Sequence, residues 1–316
     1  MPMWDAKSTK SIAKHAHLYT SSIGGVDSDR FEKWLNQEFE APAADSLNKA
    51  ISDAKMKPSD WNKLVRFTAA QFVRTPANLL RSQERWAKSV PEVLTSTLET
   101  TVRLLEDKRA GRPIPHQAFP MAGAAQIPLH ISVEPGETPD VVKLKAEIPS
   151  GRGLWLFQME HLLTNTIKHL EAHDWTILRP ASGVQWLTTD DPVICLNYYS
   201  HGHYDFDGGW GRNGCEVLFP LSPHHLFCTR IGQPRLDRGT VIALPLSEIL
   251  RRLTAEHAFR MIFAASPDDG VVTMRSRDVN DSQFRDEERQ WKEWHDHQSK
   301  AEGEAKGLIV HPSLRK

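Results

Sequence analysis

The feature that most constrains the fold is a change in the spacing of apolar residues along the chain. Up to residue 107 they recur every three or four positions, and the clearest series is Trp86, Val90, Leu94, Leu98 and Val102. This spacing places the side chains on one face of a helix. After residue 171 the apolar residues occur in short runs that end at turns, which is typical of β-strands. The sequence therefore predicts a helical N-terminal half followed by a sheet.

Six apolar runs are predicted to be strands of a largely antiparallel sheet. They cover residues 175–178, 185–187, 193–199, 216–219, 226–231 and 241–244. A helix over residues 152–171 precedes them. A last helix, capped by Ser247 and running to Ala265, follows them. These elements predict an α+β fold class in which a C-terminal helix packs on the sheet.

Proline density predicts the main internal boundary, because seven prolines fall between residues 110 and 150 and interrupt regular structure. Four regions result, although a single compact domain is an alternative. They are a helical region over 1–109, a proline-rich connection over 110–150, an α+β region over 151–275 and a charged helical tail over 276–316.

Charge and cysteine content limit the classes of function. The chain has 39 basic and 40 acidic residues, so its formal charge of −1 gives no strong attraction to phosphate and nucleic acid is not indicated. Three cysteines are too few for a disulfide scaffold, which favours the reducing cytoplasm. No window approaches the roughly 18 apolar residues of a membrane span. We therefore expect a soluble cytoplasmic protein.

Five short landmarks follow one another along the chain. They are Met3-Trp4-Asp5, His17-Leu18-Tyr19, Gln71-Phe72-Val73-Arg74-Thr75-Pro76, Leu187-Thr188-Thr189-Asp190-Asp191-Pro192-Val193 and Phe219-Pro220-Leu221-Ser222-Pro223. This order resembles the bacterial DUF4238 family, an uncharacterised group in which a turn similar to TSDNPV is followed by a segment similar to PLSP. The resemblance spans residues 3–265. It implies no established activity.

One departure from the family pattern concerns the N-terminus. Members usually open with a stretch of the kind HHVPQFYLRRF, which contains His-x-x-Pro, whereas this chain begins after the point where that stretch should lie. We therefore expect either a shortened member or a start codon placed too late. If the missing histidines belong to a functional site in the family, this chain lacks part of that site.

The Asp190-Asp191 pair is the first candidate for chemistry. It follows a predicted strand and precedes Pro192, which favours an extended Asp191 and a tight turn. Two adjacent carboxylates at a strand end could hold a hard divalent cation such as Mg²⁺ or orient a nucleophilic water. Alternatively, aspartates in such turns accept backbone N–H groups or cap a helix. Arg74 and Arg179 are their predicted cationic partners.

A second candidate is the segment His-Gly-His-Tyr-Asp-Phe-Asp that begins at His201. Alternate residues of an extended chain project to one side, so His201, His203 and Asp205 are predicted metal ligands. The segment resembles the His-x-His-x-Asp-His signature of metallo-β-lactamase-like hydrolases, but Phe206 stands where that signature has its last histidine. The surrounding glycines leave a polar surface loop as the alternative.

His224 and His225, which directly follow Pro-Leu-Ser-Pro, complete the predicted catalytic set with the two aspartates. A histidine beside a carboxylate can act as a general base near neutral pH. Adjacent strand residues face opposite ways, so at most one of the two histidines can point at the aspartates. Ser222 lacks the Gly-x-Ser-x-Gly pattern that exposes a hydrolase nucleophile, which favours a turn hydroxyl.

Two functional hypotheses follow, and the sequence does not decide whether the protein is an enzyme. The first is a metal-dependent hydrolase or nuclease-like enzyme that uses Asp190 and Asp191. Its cofactor is unknown, and a divalent metal fits these patterns. The second is a non-catalytic interaction module of a stress or phage-conflict system. Its protein partner would meet the helical half or the tail, where Trp291 and Trp294 lie on one helical face. Docking of these tryptophans onto the body of the same chain is the alternative.

Overall fold

A computed structural model describes residues 4–8, 19, 29–113, 130–135, 142–147, 151–200, 202–275 and 281–304. Contacts between these residues group the chain into two compact units. The first unit comprises residues 1–18, 30–78 and 162–292, and the second comprises residues 19–29, 79–161 and 293–316. The combination of helices with antiparallel sheets confirms the predicted α+β fold class.

The bounds of the elements are as follows. The helices are α1 (Arg30–Leu35), α2 (Ala41–Ile51), α3 (Pro58–Val73), α4 (Pro76–Arg109), α5 (Arg152–His161), α6 (Ile167–Glu171), α7 (Leu244–His257), α8 (Val271–Met274) and α9 (Asp281–Glu304). The strands are β1 (His130–Pro135), β2 (Val142–Glu147), β3 (Thr176–Leu178), β4 (Thr188–Thr189), β5 (Ile194–Ser200), β6 (His203–Asp205), β7 (Glu216–Ser222), β8 (His225–Arg230) and β9 (Ile262–Phe263). π-Helical turns over Asn36–Glu40 and Leu162–Thr166 join α1 to α2 and α5 to α6.

The N-terminus of α3 is set by Asp60. The Oδ2 atom of Asp60 accepts the backbone N–H of Lys57, the residue just before the helix, at 2.8 Å. The Oδ1 atom accepts the Ser46 hydroxyl and the Lys49 ammonium of α2, both at 3.1 Å. One carboxylate therefore starts α3 and also ties it to α2.

A five-stranded antiparallel sheet in the order β3-β8-β7-β5-β6 forms the centre of the first unit. Alternate residues of each strand point to opposite faces. One face packs against α7 through Leu196, Leu218, Leu226, Leu250 and Leu253. Removing these apolar side chains from water is the main force that holds the helix on the sheet.

The opposite face of the sheet packs against α3. The ring of Phe227 in β8 stacks on that of Trp61, with centroids 6.1 Å apart, and the ring of Phe219 in β7 lies 5.9 Å from that of Phe67. Residues of β8 that share the orientation of Phe227 therefore point towards the helices α2 and α3. His225 lies two positions before Phe227 and belongs to this set.

Three predicted elements differ from the structure. Residues 185–187 lie outside the strands, and the chain there leads into the short strand β4, which pairs with β9. Residues 241–244 contribute an isolated parallel bridge between Val241 and Arg179. The last helix begins at Leu244, because Pro245 fits its first turn, and ends at His257. Ser247 therefore lies inside α7, and its hydroxyl accepts the Ala181 N–H at 2.9 Å.

The second unit contains the hairpin β1–β2, which lies within the predicted proline-rich connection. In the same unit α5 and α9 meet at Arg152, whose side chain is buried. Its guanidinium donates to both carboxylate oxygens of Glu302, at 3.0 and 2.8 Å, and to the Ser299 hydroxyl at 3.1 Å. Within the predicted tail over residues 276–316, the described residues 281–304 form α9, which binds Arg152 through Glu302 and Ser299. A partner site at Trp291 and Trp294 stays a prediction.

In the described part of the chain, no helix combines the length and the apolar character that crossing a membrane requires.

Candidate functional site

Residues 188–193, which we call the aspartate turn, lie in the first unit between α7 and the central sheet. Strand β4 at the start of the turn pairs antiparallel with β9, and β5 begins directly after the turn. Leu187, just before the turn, forms a small apolar cluster with Ala255 of α7, and Trp4 packs against this cluster. Within a few residues, this part of the chain therefore contacts β9 and α7 and leads into β5 of the central sheet.

Asp190 binds the backbone that follows α7. Its Oδ1 atom accepts the Phe259 N–H at 3.0 Å, and its Oδ2 atom accepts the N–H groups of Arg260 and Met261 at 2.8 and 3.1 Å. Hydrogen bonds to an ionised acceptor are about twice as strong as neutral ones. The carboxylate therefore determines the path of the chain from α7 into β9.

Asp191 is fully buried and connects the aspartate turn to α4. Its Oδ1 atom accepts the Thr75 hydroxyl proton at 2.8 Å, and the Thr75 oxygen in turn accepts the N–H of Asn78 at 3.1 Å. Thr75 directly precedes α4, so its side chain acts as an N-cap while it also binds Asp191. Two of the sequence landmarks, which contain Thr75 and Asp191, thus meet in one hydrogen-bonded group.

His257 at the end of α7 closes this group. Its Nδ1 atom donates to the backbone carbonyl of Asp191 at 3.0 Å, because a carbonyl can only accept. Its Nε2 atom lies 3.6 Å from the Oδ2 atom of Asp191. The ring of Phe206 packs edge-on against the imidazole, with centroids 5.0 Å apart. The sequence did not indicate His257 as a site residue, because a histidine within a predicted helix forms no pattern of its own.

The contacts of the aspartate turn favour the structural alternative over metal binding. A hard divalent cation needs several oxygen ligands that it can reach, and Asp191 has no exposed surface. Within the described ranges there is no group of three histidine, cysteine or acidic side chains arranged to hold a metal ion. Among the contacts described, the predicted cation Arg74 pairs with Glu40 and the predicted cation Arg179 pairs with Asp53. Catalytic roles for the two aspartates stay predictions.

The predicted metal segment lies at the hairpin of β5 and β6. His201 is outside the described residues, and His203 is exposed with its ring against that of Tyr199, 4.9 Å between centroids. Asp205 accepts hydrogen bonds from the Asn197 amide at 2.6 Å and from the Tyr199 hydroxyl at 3.1 Å. The Asn197 bond is the main cause that lowers the pKa of Asp205. A metal site here stays a prediction.

Residues 222–225, which we call the hairpin turn, link β7 to β8. The strand register places Ser222 directly opposite His225, after an irregularity next to Pro220. The Oγ atom of Ser222 lies 2.7 Å from the Nδ1 atom of His225 and accepts the backbone N–H of His224 at 3.1 Å. The side chain of His224 is exposed, whereas that of His225 is buried. As expected for adjacent strand residues, the two histidines therefore differ in orientation.

The second nitrogen of His225 faces a carboxylate. Its Nε2 atom lies 3.4 Å from the Oδ2 atom of Asp53, and Asp53 also pairs with the Arg179 guanidinium. Asp53 is 40% exposed and Arg179 42%, so this end of the group reaches the surface. We refer to Ser222, His225, Asp53 and Arg179 together as the hairpin cluster. His225 thus approaches Asp53, an acid that the sequence patterns did not indicate.

The backbone at Asp53 has an unusual conformation. Among the described residues, Asp53 is the one non-glycine with a positive φ angle, at 56°. The left-handed region is disfavoured for any residue with a Cβ atom, although aspartate tolerates it better than most residues do. The position follows the end of α2 at Ile51, where a glycine is usual. Asp53 therefore supplies a carboxylate at a place where backbone geometry alone would favour glycine.

Arg238 holds the loop that carries Asp53. Its guanidinium donates to the carbonyls of Ala54 at 2.8 Å, Lys49 at 3.2 Å and Ala50 at 3.5 Å. It also lies 6.0 Å from the centre of the Trp61 ring. Carbonyls at the end of α2 thus receive a cationic donor, which suits the negative end of the helix dipole. The loop is fixed on both sides of Asp53.

Comparison with known proteins identifies the family but no activity. A family model described as "Protein of unknown function (DUF4238)" matches residues 3–268. No curated protein and no solved structure matches the chain. The chain therefore belongs to the DUF4238 family, as the order of its landmarks indicated.

Proposed function

We propose that this member of an uncharacterised family is a hydrolase with His225 as its general base, and that the aspartate turn builds the fold instead of performing the reaction. The hydrolase hypothesis is kept, but the reacting groups belong to the hairpin cluster and are no longer Asp190 and Asp191. It assigns no metal to the reaction.

The observation that carries the proposal is the pair of contacts made by His225. One ring nitrogen lies 2.7 Å from a hydroxyl, and the other lies 3.4 Å from a carboxylate. A general base needs a proton donor within reach and a second group that sets its tautomer and orientation. The hairpin cluster supplies both, and Asp53 brings it to the surface.

The aspartate turn provides the contrast that supports this choice. Asp190 accepts three backbone N–H groups and Asp191 accepts the Thr75 hydroxyl. Carboxylates that accept backbone and capping hydroxyl protons in this way stabilise a fold, because each lost partner would leave a polar atom without a hydrogen bond. The same atoms are poorly placed to activate water.

The finer cellular assignment is also a proposal, namely that the protein works in the reducing cytoplasm. Its three cysteines, Cys195, Cys215 and Cys228, are buried thiols and form no disulfide with one another. Burial raises the pKa of the Cys228 thiol to about 12, so this sulfur is a poor nucleophile at neutral pH. Cys195 is likewise enclosed in β5, which fits a packing role.

Hydrolysis of model esters tests the proposal. The full chain is incubated with p-nitrophenyl acetate, butyrate and octanoate, and release of nitrophenolate is compared with that of His225→Gln. General base catalysis typically contributes about 10²–10⁴-fold, so we expect the variant to lose at least about 100-fold in kcat/KM. His169→Gln, an exposed histidine on α6, is the matched control and should keep the wild-type rate.

Equal rates for the wild type and His225→Gln on all three esters would overturn the proposal. Melting curves of both proteins accompany the assay, so that a rate lost through unfolding is recognised. Adding a chelator to the wild type separates the two hydrolase hypotheses. The rate should be unchanged if His225 acts without a metal, and a chelator-sensitive rate that survives in His225→Gln would return the chemistry to the aspartate turn.

A further inference from the structure

We infer that Ser222 is a nucleophile that becomes acylated during the reaction, and that the substrates are carboxylic esters or amides. The inference rests on the proposed role of His225 as a general base and goes one step further, since a general base alone could activate water. Ser222, His225 and Asp53 would then form a relay of hydroxyl, imidazole and carboxylate.

The hydrogen-bond directions around Ser222 are consistent with this relay. Its oxygen already accepts the N–H of His224 at 3.1 Å, which leaves its own proton to be donated to His225 at 2.7 Å. An Nδ1 atom that accepts this proton requires the ring hydrogen on Nε2. In that tautomer the Nε2 hydrogen faces Asp53, whose Oδ2 atom lies 3.4 Å from Nε2. The three groups therefore share one consistent arrangement of protons.

The backbone of Asp53 adds an independent observation. Residues kept in disfavoured backbone regions persist where the surrounding structure holds them, and they are concentrated at functional sites. Asp53 has a φ angle of 56°, and Arg238 binds the carbonyls of Ala50 and Ala54, which flank it in the sequence. A serine that merely locks its own turn explains the bonds to His224 and His225. It does not explain why a carboxylate is held in this conformation beside the opposite ring nitrogen.

The relay differs in one respect from the usual order of such groups. Here the serine contacts Nδ1 and the carboxylate faces Nε2, whereas most serine hydrolases use the two nitrogens the other way round. Proton transfer requires only that one nitrogen accept and the other be held by an acid, and both conditions are met. Asp53 acts through His225 and is a positioning residue.

The reaction can be written with every atom accounted for. The Ser222 oxygen attacks the substrate carbonyl while its proton moves to Nδ1 of His225. The bond to the leaving alcohol or amine breaks, and the leaving group takes that proton. Water then attacks the acyl-serine, giving one proton to His225 and releasing the acid, and Ser222 regains its proton from the imidazole. No oxidant, reductant or metal is needed.

A fluorophosphonate probe tests this inference directly. Attack by Ser222 would form an oxygen–phosphorus bond with loss of fluoride, which raises the intact mass by one probe residue. Labelling of the full chain is measured by mass spectrometry, and the modified residue is located by peptide mapping. We expect one adduct at Ser222, at least about tenfold slower labelling of His225→Gln, and none at residue 222 of Ser222→Ala. Ser266→Ala, which replaces an exposed serine, should label as the wild type does.

The outcomes separate this inference from the proposed function. Ester hydrolysis that depends on His225 without any adduct at Ser222 would overturn the nucleophile and leave the general base in place. An adduct at Ser222 that forms equally fast in His225→Gln would also overturn the relay. Asp53→Asn supplies a further readout, because it keeps a side chain suited to positive φ. If Asp53 positions His225, this variant lowers kcat with little change in KM, and an unchanged kcat would exclude that role.

Discussion

The aspartate turn and the hairpin turn carry similar chemical groups but use them differently. In the aspartate turn, two carboxylates and His257 bind backbone groups and a capping hydroxyl, and Asp191 has no exposed surface. In the hairpin cluster, His225 lies between the hydroxyl of Ser222 and the carboxylate of Asp53, which is 40% exposed. The groups of the aspartate turn therefore end at a buried carboxylate, whereas the hairpin cluster ends at a carboxylate that is partly exposed to solvent.

This difference teaches that the type of residue is a weaker guide to chemistry than the identity of its partners. Acidic residues beside a strand end attract attention in a sequence because they could bind a metal. Once their oxygens accept backbone N–H groups, they act as structural hydrogen-bond acceptors. The comparison makes quantitative predictions for stability and for activity in the two turns.

The largest expected effect on stability comes from Asp191→Ala. It removes the acceptor of the Thr75 hydroxyl and the neighbour of His257 from a fully buried site. Leaving such partners unsatisfied should lower the free energy of unfolding by about 3 kcal/mol. Urea denaturation followed by circular dichroism measures this change. The exposed Asp207→Asn is the control and should stay within about 0.5 kcal/mol of the wild type. If Asp191→Ala is as stable as Asp207→Asn, the aspartate turn does not stabilise the fold.

Asp190→Ala should have the next largest effect. Three backbone N–H groups lose their acceptor, but Asp190 is only half-buried and water can replace part of the loss. We expect a decrease of about 2 kcal/mol in the free energy of unfolding. Hydrogen exchange of the amides of Phe259, Arg260 and Met261 provides a local measurement. Their protection should fall more than that of the central strands, and unchanged protection would show that the contacts do not stabilise this segment.

Asp53→Gly should separate stability from activity in the hairpin cluster. Glycine accepts a positive φ angle without steric penalty, while the exposed ion pair with Arg179 contributes little. The free energy of unfolding should therefore remain within about 1 kcal/mol of the wild type or rise. The rate of ester hydrolysis should be lower in Asp53→Gly than in the wild type, as is also expected for Asp53→Asn. A variant that is clearly less stable yet fully active would reverse the assignment of the two turns.

A third internal carboxylate, Asp60, extends the comparison to pH. The Lys57 N–H, with help from the Lys49 ammonium and the Ser46 hydroxyl, lowers the pKa of Asp60 from 3.8 to about 2. Because the pKa is lower in the folded state than in the unfolded chain, this contribution to stability is present above about pH 4 and is lost as the pH falls towards about 2. Melting temperatures of the wild type and Asp60→Asn should therefore converge across that interval. A constant difference would contradict the role of the ionised carboxylate.

The sequence predicted the fold class because periodicity and turn residues are local signals. The helical N-terminal half and the antiparallel sheet are confirmed, and the run from Trp86 to Val102 lies within α4. The details that failed depend on tertiary contacts. Ser247 appeared to be a cap because it precedes an apolar periodicity, but Pro245 allows α7 to begin earlier. The pairing of β4 with β9 could not be predicted, since each strand has only two residues.

The candidate site was predicted only in part. His225 and the aspartate turn were indicated, and the order of landmarks identified the family. Asp53 was missed because it lies 172 positions from His225 and has no local pattern beyond a helix end. Its positive φ angle is not visible in a sequence, since aspartate also occurs in ordinary turns. The Ser222–His225 contact depends on the register and the irregularity of the hairpin, which turn residues alone do not determine.

One paired measurement tests whether the aspartate turn is structural and the hairpin cluster performs the chemistry. Melting temperature and the rate of p-nitrophenyl butyrate hydrolysis are measured for Asp190→Asn and His225→Gln, with each rate taken below the melting transition. We expect Asp190→Asn to melt several degrees lower but to keep its rate within about twofold. We expect His225→Gln to melt close to the wild type and to lose at least about 100-fold in rate. Loss of the rate in Asp190→Asn together with its retention in His225→Gln would contradict the account.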